Sequence, residues 1–162
     1  MTIDWSRAGL ESIAFEGWAP FARLPSLRVP SSAGAYVIVR EAQSEPEFLP
    51  ASVGGHFKGR DPSVDPAILG AKWITSTPVI YVGKADIRSS GGGLAKRLDE
   101  YRRFGEGLPV GHWGGRYIWQ LADHADLRVA WKSADSGSAY ESALLADFVS
   151  QFGRLPFANL RA

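Results

Sequence analysis

Two short segments of β-branched and aromatic residues constrain the fold most strongly, because turn-forming residues bound both of them. Residues 34–40 read Gly-Ala-Tyr-Val-Ile-Val-Arg, and residues 78–84 read Pro-Val-Ile-Tyr-Val-Gly-Lys, which is a composition typical of strands. Side chains alternate across a strand, so we expect Val79 and Tyr81 to share one face of the second segment. The two segments predict a β-sheet at the centre of the fold.

Two later segments have the apolar spacing of amphipathic helices, over about residues 94–104 and 139–152. Together with the strands they predict an α+β fold, and a length of 162 residues favours one domain. We predict a lead-in over residues 1–33 and a main domain over residues 34–162. Residues 41–77, between the two strands, lack periodicity and are predicted to form a long insertion.

Weaker signals predict four further local elements. Short helical turns are expected around residues 10–15 and 18–24 of the lead-in. The segments 116–121 and 127–131 alternate apolar side chains on either side of a polar turn, a pattern that predicts a β-hairpin.

The composition excludes several kinds of active site. The chain contains no cysteine, which excludes disulfide scaffolds, cysteine zinc sites, iron–sulfur clusters and thiol nucleophiles. Its three histidines, His56, His112 and His124, lack the spacing of metal ligands on one element.

Charge and hydropathy limit the partners. The net charge of +1 does not by itself indicate nucleic acid. Residues 84–116 carry seven Lys or Arg and four Asp or Glu, which suits either a surface facing a polyanion or an ordinary solvated helix face. No segment approaches the ~18 consecutive apolar residues of a membrane span, and the polar residues 1–7 do not resemble a secretion signal. We therefore expect no membrane partner and a cytoplasmic location.

One carboxylate, Glu141, falls inside the apolar stripe of the last helix. With Leu144 taken as 0°, the stripe extends from about −40° to about 140°, and Glu141 lies at about 60°. A buried carboxylate must be paired, protonated, near an opening or bound to a cation. The alternative is a capping box, in which Ser138 and Glu141 satisfy amides at the helix start. The apolar members of the stripe are Tyr140, Leu144, Leu145, Phe148, Val149 and Phe152.

Five short elements follow one another along the chain: Gly34-Ala35-Tyr36, Tyr81-Val82-Gly83-Lys84, Arg97, Glu141 and Asn159. In this order, and on these predicted strands and helices, they resemble the GIY-YIG nuclease family from about residue 34 to residue 159. Residues 79–85 together with residues 94–101 are most similar to the UvrC-type excision-repair nucleases. The closing Leu-Pro-Phe-Ala-Asn of residues 155–159 is similar to the Pro-Leu-Asn ending of the family.

The chain departs from the family pattern in three respects. The insertion at 41–77 separates two strands that a short turn usually joins, although some restriction enzymes of the family enlarge the same connection. The spacing between Lys84 and Arg97 is longer than usual, which leaves Arg88 as a rival for the arginine role. No partner domain that would select a substrate is recognisable in the sequence.

The resemblance implies a small, mostly antiparallel central sheet flanked by helices, and it implies a divalent-metal-dependent DNA endonuclease. Glu141 would bind Mg²⁺, with Mn²⁺ able to substitute, because both ions prefer oxygen ligands. Arg97 would clamp the phosphate. Either Tyr36 or Tyr81 would be the general base for the attacking water, helped by Lys84 or by the metal.

Four further residues are predicted to contact substrate. Gly83 would let a phosphate approach the backbone closely, and Asn159 would orient a ligand or the helix end. Arg88 is a candidate through its rivalry with the helix arginine, and Lys58 is a candidate as a basic side chain among the glycines of the insertion. His112 could contact a backbone phosphate, but it is not part of the predicted site.

The sequence leaves three alternatives open. A catalytically inactive relative could bind nucleic acid or protein without cutting it, and an enzyme of this kind could act on another phosphoester. The chain could be a monomer or a homodimer, since a single small domain that cuts both strands of a duplex would need two copies.

Overall fold

The computed structural model describes residues 2–161, and its centre is a four-stranded sheet in which each recorded strand pair is antiparallel. The strands are β1 (Glu16–Ala19), β2 (Gly34–Val39), β3 (Val79–Ala85) and β4 (Arg128–Ser133). Their order in the sheet is β1-β4-β2-β3, so β2 is an inner strand and β3 lies at an edge. The predicted α+β fold with a small antiparallel sheet is confirmed.

Helices cover both faces of the sheet. They are α1 (Arg7–Ser12), α2 (Pro66–Lys72), α3 (Gly93–Gly105) and α4 (Gly137–Phe152), so the two helices predicted at 94–104 and 139–152 are present. Helix α3 packs with Tyr36 and Ile38 on one face of β2, and α4 packs with Ala35 and Val37 on the other. Because both of its faces are covered, every residue of β2 is buried. No described helix is long and apolar enough to span a membrane.

A β-bulge in β3 decides which face its side chains occupy. The register pairs Ile38 with Tyr81 and Val39 with Val79, so Ile80 is the extra residue on β3. Val79 consequently packs on the α4 side, whereas Tyr81 packs on the α3 side. The expectation that Val79 and Tyr81 share a face is therefore wrong, because strict alternation does not continue through a bulge.

The N-terminal segment belongs to the same sheet. A helical turn was expected around residues 18–24. The structure instead has the strand β1, which pairs with β4, and a 3-10 helix follows it at Phe21–Ser26. The backbone φ angles of Gly17 and Trp18 are +104° and +54°, a conformation that interrupts helical periodicity. Residues 2–33, the predicted lead-in, thus contribute an edge strand and core side chains to the fold.

The predicted hairpin at 116–131 is not formed. Residues Trp113–Gln120 form 3-10 turns, while β4 pairs with β1 on one side and with β2 on the other. Since both edges of β4 are occupied, no strand from 116–121 could pair with it. This segment instead anchors the insertion, because Leu49 N donates to Gln120 O over 2.7 Å.

Candidate functional site

Six of the nine predicted site residues line one pocket of about 340 Å³, which lies between the C-terminal end of β3 and the helices α3 and α4. We call it the tyrosine pocket. The sequence places these residues far apart, and the antiparallel pairing of β2 with β3 brings them together. The residues that line it are Tyr36, Tyr81, Lys84, Ala85, Asp86, Arg88, Arg97 and Glu141.

The two tyrosines are neighbours on adjacent strands. Their ring centroids are 6.0 Å apart, and both rings belong to the α3 side of the sheet. Burial raises the pKa of Tyr36 well above its usual value, and the neighbouring Tyr81 raises it further. Burial also raises the pKa of Tyr81 to about 12, against the opposing effect of Arg97. Both phenols are therefore protonated at neutral pH, and either would need a proton acceptor in order to act as a base.

A histidine outside the predicted site supplies such an acceptor. His112 is fully buried, and its Nε2 lies 2.7 Å from the hydroxyl oxygen of Tyr36. Its ring stacks on Tyr101 with a centroid distance of 3.5 Å and an interplanar angle of 6°. Burial lowers the pKa of His112 well below its usual value, and Arg97 lowers it further, so the imidazole is neutral. A neutral imidazole with its proton on Nδ1 can accept the hydroxyl proton of Tyr36 at Nε2.

Sequence reasoning missed this contact because nothing local indicates it. His112 lies in a glycine- and proline-rich loop, and its partner Tyr36 is 76 positions earlier in the chain. In the described residues its Nδ1 has no hydrogen-bond partner, so the bond to Tyr36 is the only polar anchor of the ring there. The available signal was modest: His112 is one of three histidines in the chain.

Gly83 has a different role from the one predicted. It lies opposite Tyr36 in the β2–β3 ladder, and a Cβ added there would be 2.3 Å from Cζ of Tyr36 and 2.5 Å from its hydroxyl oxygen. The ring of Tyr36 thus occupies the space that was expected to admit a phosphate. Gly83 is required because any side chain at this position would displace the tyrosine.

Two arginines line the tyrosine pocket, and both donate hydrogen bonds to the same glutamate, Glu100. Arg97 Nη1 donates to Glu100 Oε2 over 3.0 Å and to the carbonyl of Gly111 over 2.8 Å, and Arg88 Nη2 donates to Glu100 Oε1 over 3.0 Å. The side chain of Arg97 is 27% exposed and that of Arg88 is 48% exposed. Both can therefore face an anion in the pocket, and Arg97 also holds the loop that carries His112.

Glu141 lies in the tyrosine pocket and takes no part in capping α4. The N-cap is Ser136, whose Oγ accepts from Ala139 N over 3.1 Å, so the alternative of a capping box between Ser138 and Glu141 is wrong. The nearest cation to the carboxylate of Glu141 is Lys84, whose Nζ lies 3.5 Å from Oε2. Burial raises the pKa of Glu141, and Lys84 opposes that rise.

A second carboxylate, Asp86, fixes the start of α4 beside the pocket. It accepts hydrogen bonds from Gly137 N over 2.8 Å and from the Ser138 hydroxyl over 2.5 Å. Gly137 approaches β3 so closely that an added Cβ would be 2.4 Å from the carbonyl oxygen of Ala85. Glu141 follows one helical turn later, so these contacts set its position. Asp86 was not among the predicted site residues, although it directly follows β3.

The tyrosine pocket contains two carboxylates, Glu141 and Asp86, that could serve as ligands of a divalent cation. Among residues 2–161 no group of three His, Asp or Glu side chains is arranged to hold a metal ion. The ligand would be Glu141, since hydrogen bonds from α4 already occupy the carboxylate of Asp86. Mg²⁺ tolerates such a site because it retains several waters and accepts phosphate oxygens. The oxygen donor of Glu141 fits Mg²⁺ or Mn²⁺.

Two predicted substrate contacts lie outside the tyrosine pocket. Asn159 is buried and binds the edge strand β3, because its Oδ1 accepts from Val82 N over 2.9 Å and its Nδ2 donates to Val82 O over 2.8 Å. Because the oxygen and the nitrogen of its side-chain amide both bind Val82, Asn159 stabilises the strand rather than orienting a ligand. Lys58 is exposed and lies with Nζ 5.3 Å from the ring centroid of Phe57, away from the pocket lining.

A larger cavity of about 470 Å³ lies at the opposite ends of β2 and β3. Its buried charged residue, Arg40, already donates to Asp123 Oδ2 over 2.8 Å and to the carbonyl of Ser44 over 2.8 Å. Because that guanidinium already donates to protein acceptors, this cavity is a weaker candidate for a binding site than the smaller tyrosine pocket.

Comparisons with known proteins returned no match: no family model, no curated protein and no solved structure matches the chain. The resemblance to the GIY-YIG nucleases therefore stays a prediction from the sequence. The residues of the tyrosine pocket are what indicate a function.

Proposed function

We propose that this protein is a divalent-metal-dependent endonuclease that hydrolyses phosphodiester bonds in DNA. The observation that supports this proposal is the convergence of Tyr36, Tyr81, Arg97 and Glu141, from four different elements, on one pocket. Phosphodiester hydrolysis requires a base for water, cationic groups for the phosphoryl oxygens and help for the leaving oxygen. The pocket has a side chain suited to each requirement.

Tyr36 is the proposed base, because its own proton has a defined destination. As the hydroxyl oxygen of Tyr36 takes a proton from the attacking water, its original proton passes to His112 Nε2, 2.7 Å away. The net result is a hydroxide aimed at phosphorus and an imidazolium in the core. Burial disfavours that imidazolium, so the proton is returned when the leaving oxygen needs one. Tyr81, 6.0 Å away by ring centroid, orients the water.

The cationic groups bind the phosphate. Arg97 is held by Glu100 and Gly111, so its guanidinium is oriented before substrate binds and loses little freedom on binding. Lys84 stands at the mouth, half exposed, where it balances Glu141 in the free protein. A divalent ion on Glu141 would act as a Lewis acid that stabilises charge on the phosphoryl and leaving oxygens.

The direct test is cleavage of a supercoiled plasmid and of a single-stranded oligonucleotide with Mg²⁺ or Mn²⁺. We expect Glu141→Gln and Arg97→Ala each to lower the rate by at least about 10²-fold, the typical effect of removing one charge-stabilising group. Matched controls are Glu11→Gln, an exposed carboxylate on α1, and Arg103→Ala, an exposed arginine on α3. Both controls should cut at the parental rate.

Equal residual cutting by all variants would indicate a contaminating nuclease and would refute the proposal. Comparison of Tyr36→Phe with Tyr81→Phe identifies the base, because loss of the base should lower the rate more than loss of the orienting hydroxyl. If the parent cuts no duplex, single-stranded or branched DNA, the binding-only alternative is favoured, and the full burial of Tyr36 is the observation consistent with it.

A further inference from the structure

Two arginines from distant parts of the chain meet on one tryptophan. The guanidinium carbons of Arg60 and Arg116 each lie 4.4 Å from the ring centroid of Trp113. Arg60 comes from the insertion, whereas Arg116 comes from the 3-10 turns of Trp113–Gln120. We call these three residues the arginine–tryptophan cluster. Stacking on an aromatic ring holds a guanidinium in place without consuming its hydrogen-bond donors. Arg116 Nη1 also donates to Trp113 O over 3.2 Å, so one of its donors is used within the cluster.

The cluster is joined to the tyrosine pocket by one short loop. Trp113 directly follows His112, which bonds to Tyr36, and Arg97 donates to the carbonyl of Gly111. The loop from 111 to 116 therefore begins at Gly111, which Arg97 of the pocket contacts, and ends at Arg116 of the cluster. A long polyanion bound in the pocket could follow this loop onto the cluster.

None of the ion pairs among residues 2–161 includes Arg60 or Arg116. The adjacent acid, Asp61, accepts from Ser63 N over 2.9 Å and lies 3.9 Å from His56 Nε2. Lys58, two positions before Arg60 in the sequence, carries a charge of the same sign. Burial lowers the pKa of Arg116, and repulsion from Arg60 contributes in the same direction. An anion that contacts both arginines would relieve this repulsion.

We infer that the arginine–tryptophan cluster binds the phosphate backbone of DNA beside the tyrosine pocket, an inference that rests on the proposed function. The partner is the backbone rather than a base, because the ring of Trp113 already carries two guanidinium groups and both present donors suited to phosphate oxygens. Contacts of this kind are independent of sequence, so the cluster positions the substrate and selects no recognition site.

The test measures affinity for a labelled duplex of arbitrary sequence against salt concentration. The parent is the Glu141→Gln protein, so that binding is read without cleavage. Each phosphate contact contributes about 0.9 to the slope of log affinity against log salt, so Arg60→Ala and Arg116→Ala should each lower the slope by about 0.9 and the double variant by about 1.8. Over a fourfold rise in salt, the double variant should lose about 12-fold less affinity than its parent. Arg23→Ala, an exposed arginine on the Phe21–Ser26 turn, is the control for loss of one positive charge.

An unchanged slope in Arg60→Ala overturns the inference, and this variant carries the test even if Arg116→Ala fails to fold, because Arg60 is exposed. A slope change as large in Arg23→Ala also overturns it, since that result would reflect net charge alone. The proposed function fails separately. If the wild type cuts no DNA while the cluster variants still show the smaller slope of log affinity against log salt, the cluster binds DNA in a protein that is not a nuclease. If the wild type cuts DNA but the slopes are equal, the cluster inference fails alone.

Discussion

Substitution of Gly83 by alanine tests whether the position of Tyr36 determines catalysis. The added Cβ would lie 2.3 Å from Cζ, 2.5 Å from the hydroxyl oxygen and 2.6 Å from Cε2 of Tyr36. Non-bonded carbons normally remain about 3.5–4.0 Å apart, so the ring must move by more than about 1 Å. Tyr36 is fully buried and its hydroxyl is bound to His112, so it cannot move without breaking that bond.

Two effects of known size follow for Gly83→Ala. Overpacking of a dense core costs about 1–3 kcal/mol of unfolding free energy, and each kcal/mol lowers the melting temperature of a domain of this length by about 2–4 °C. Displacement of a catalytic group by about 1 Å lowers the rate by about 10²-fold. The assays are thermal unfolding and plasmid nicking with Mg²⁺. The nicking rate should fall by more than the loss of folded protein at the assay temperature accounts for.

The matched control is Gly70→Ala in α2, where an added Cβ meets no atom within 4 Å. Alanine is the better helix former, so this variant should melt at the parental temperature or slightly higher and should cut at the parental rate. If Gly83→Ala cut at the parental rate while remaining folded, catalysis would not require Tyr36 in its observed position. The assignment of Tyr36 as the base would then be wrong.

Three further variants test neighbouring contacts. Burial depresses the pKa of His112, so below pH ~6.5 the unfolded chain binds a proton that the folded chain does not bind. The free energy of unfolding should therefore fall by up to about 1.4 kcal/mol for each pH unit below that value. Urea unfolding of His112→Gln should lack this part of the pH dependence. Asp86→Ala removes the acceptor at the start of α4 and should cost about 1 kcal/mol in urea unfolding, with a loss of nicking because Glu141 moves; full activity would contradict this positioning role. Asn159→Ala leaves the amide and carbonyl of Val82 without partners and should cost at least about 1–3 kcal/mol, whereas a parental urea midpoint would show that β3 does not need this side chain.

Local sequence patterns were sufficient for the elements that pack by simple periodicity. The stripe of α3 was predicted because helical spacing alone puts Leu94 and Leu98 on one face, and both are fully buried. In α4 the same reasoning placed Glu141 inward correctly but failed for Val149, which is 38% exposed. A helical wheel gives the direction of a side chain but not the edge of the surface that covers it.

The features that could not be predicted depend on contacts between distant residues. The bulge at Ile80 moves Val79 to the other face, and no local signal marks it. The strand β1 was missed because it exists through pairing with β4, whose residues come more than a hundred positions later. His112 was missed for the same reason, since a loop histidine acquires a role only when the fold brings it to Tyr36.

The position of the insertion explains how a long connection is compatible with an intact tyrosine pocket. Residues 41–77 leave the sheet after β2 and return before β3, at the end of the strands remote from Tyr36, and Arg40 N donates to Pro78 O over 2.9 Å to close the neck. A loop closed at its neck costs little more entropy when it is lengthened, so the paired strands hold the pocket whatever the insertion contains. The insertion also contacts the C-terminal end of α3, where Gly55 N donates to Phe104 O over 2.9 Å. That return path brings Arg60 to Trp113, so the insertion supplies one of the two arginines of the arginine–tryptophan cluster.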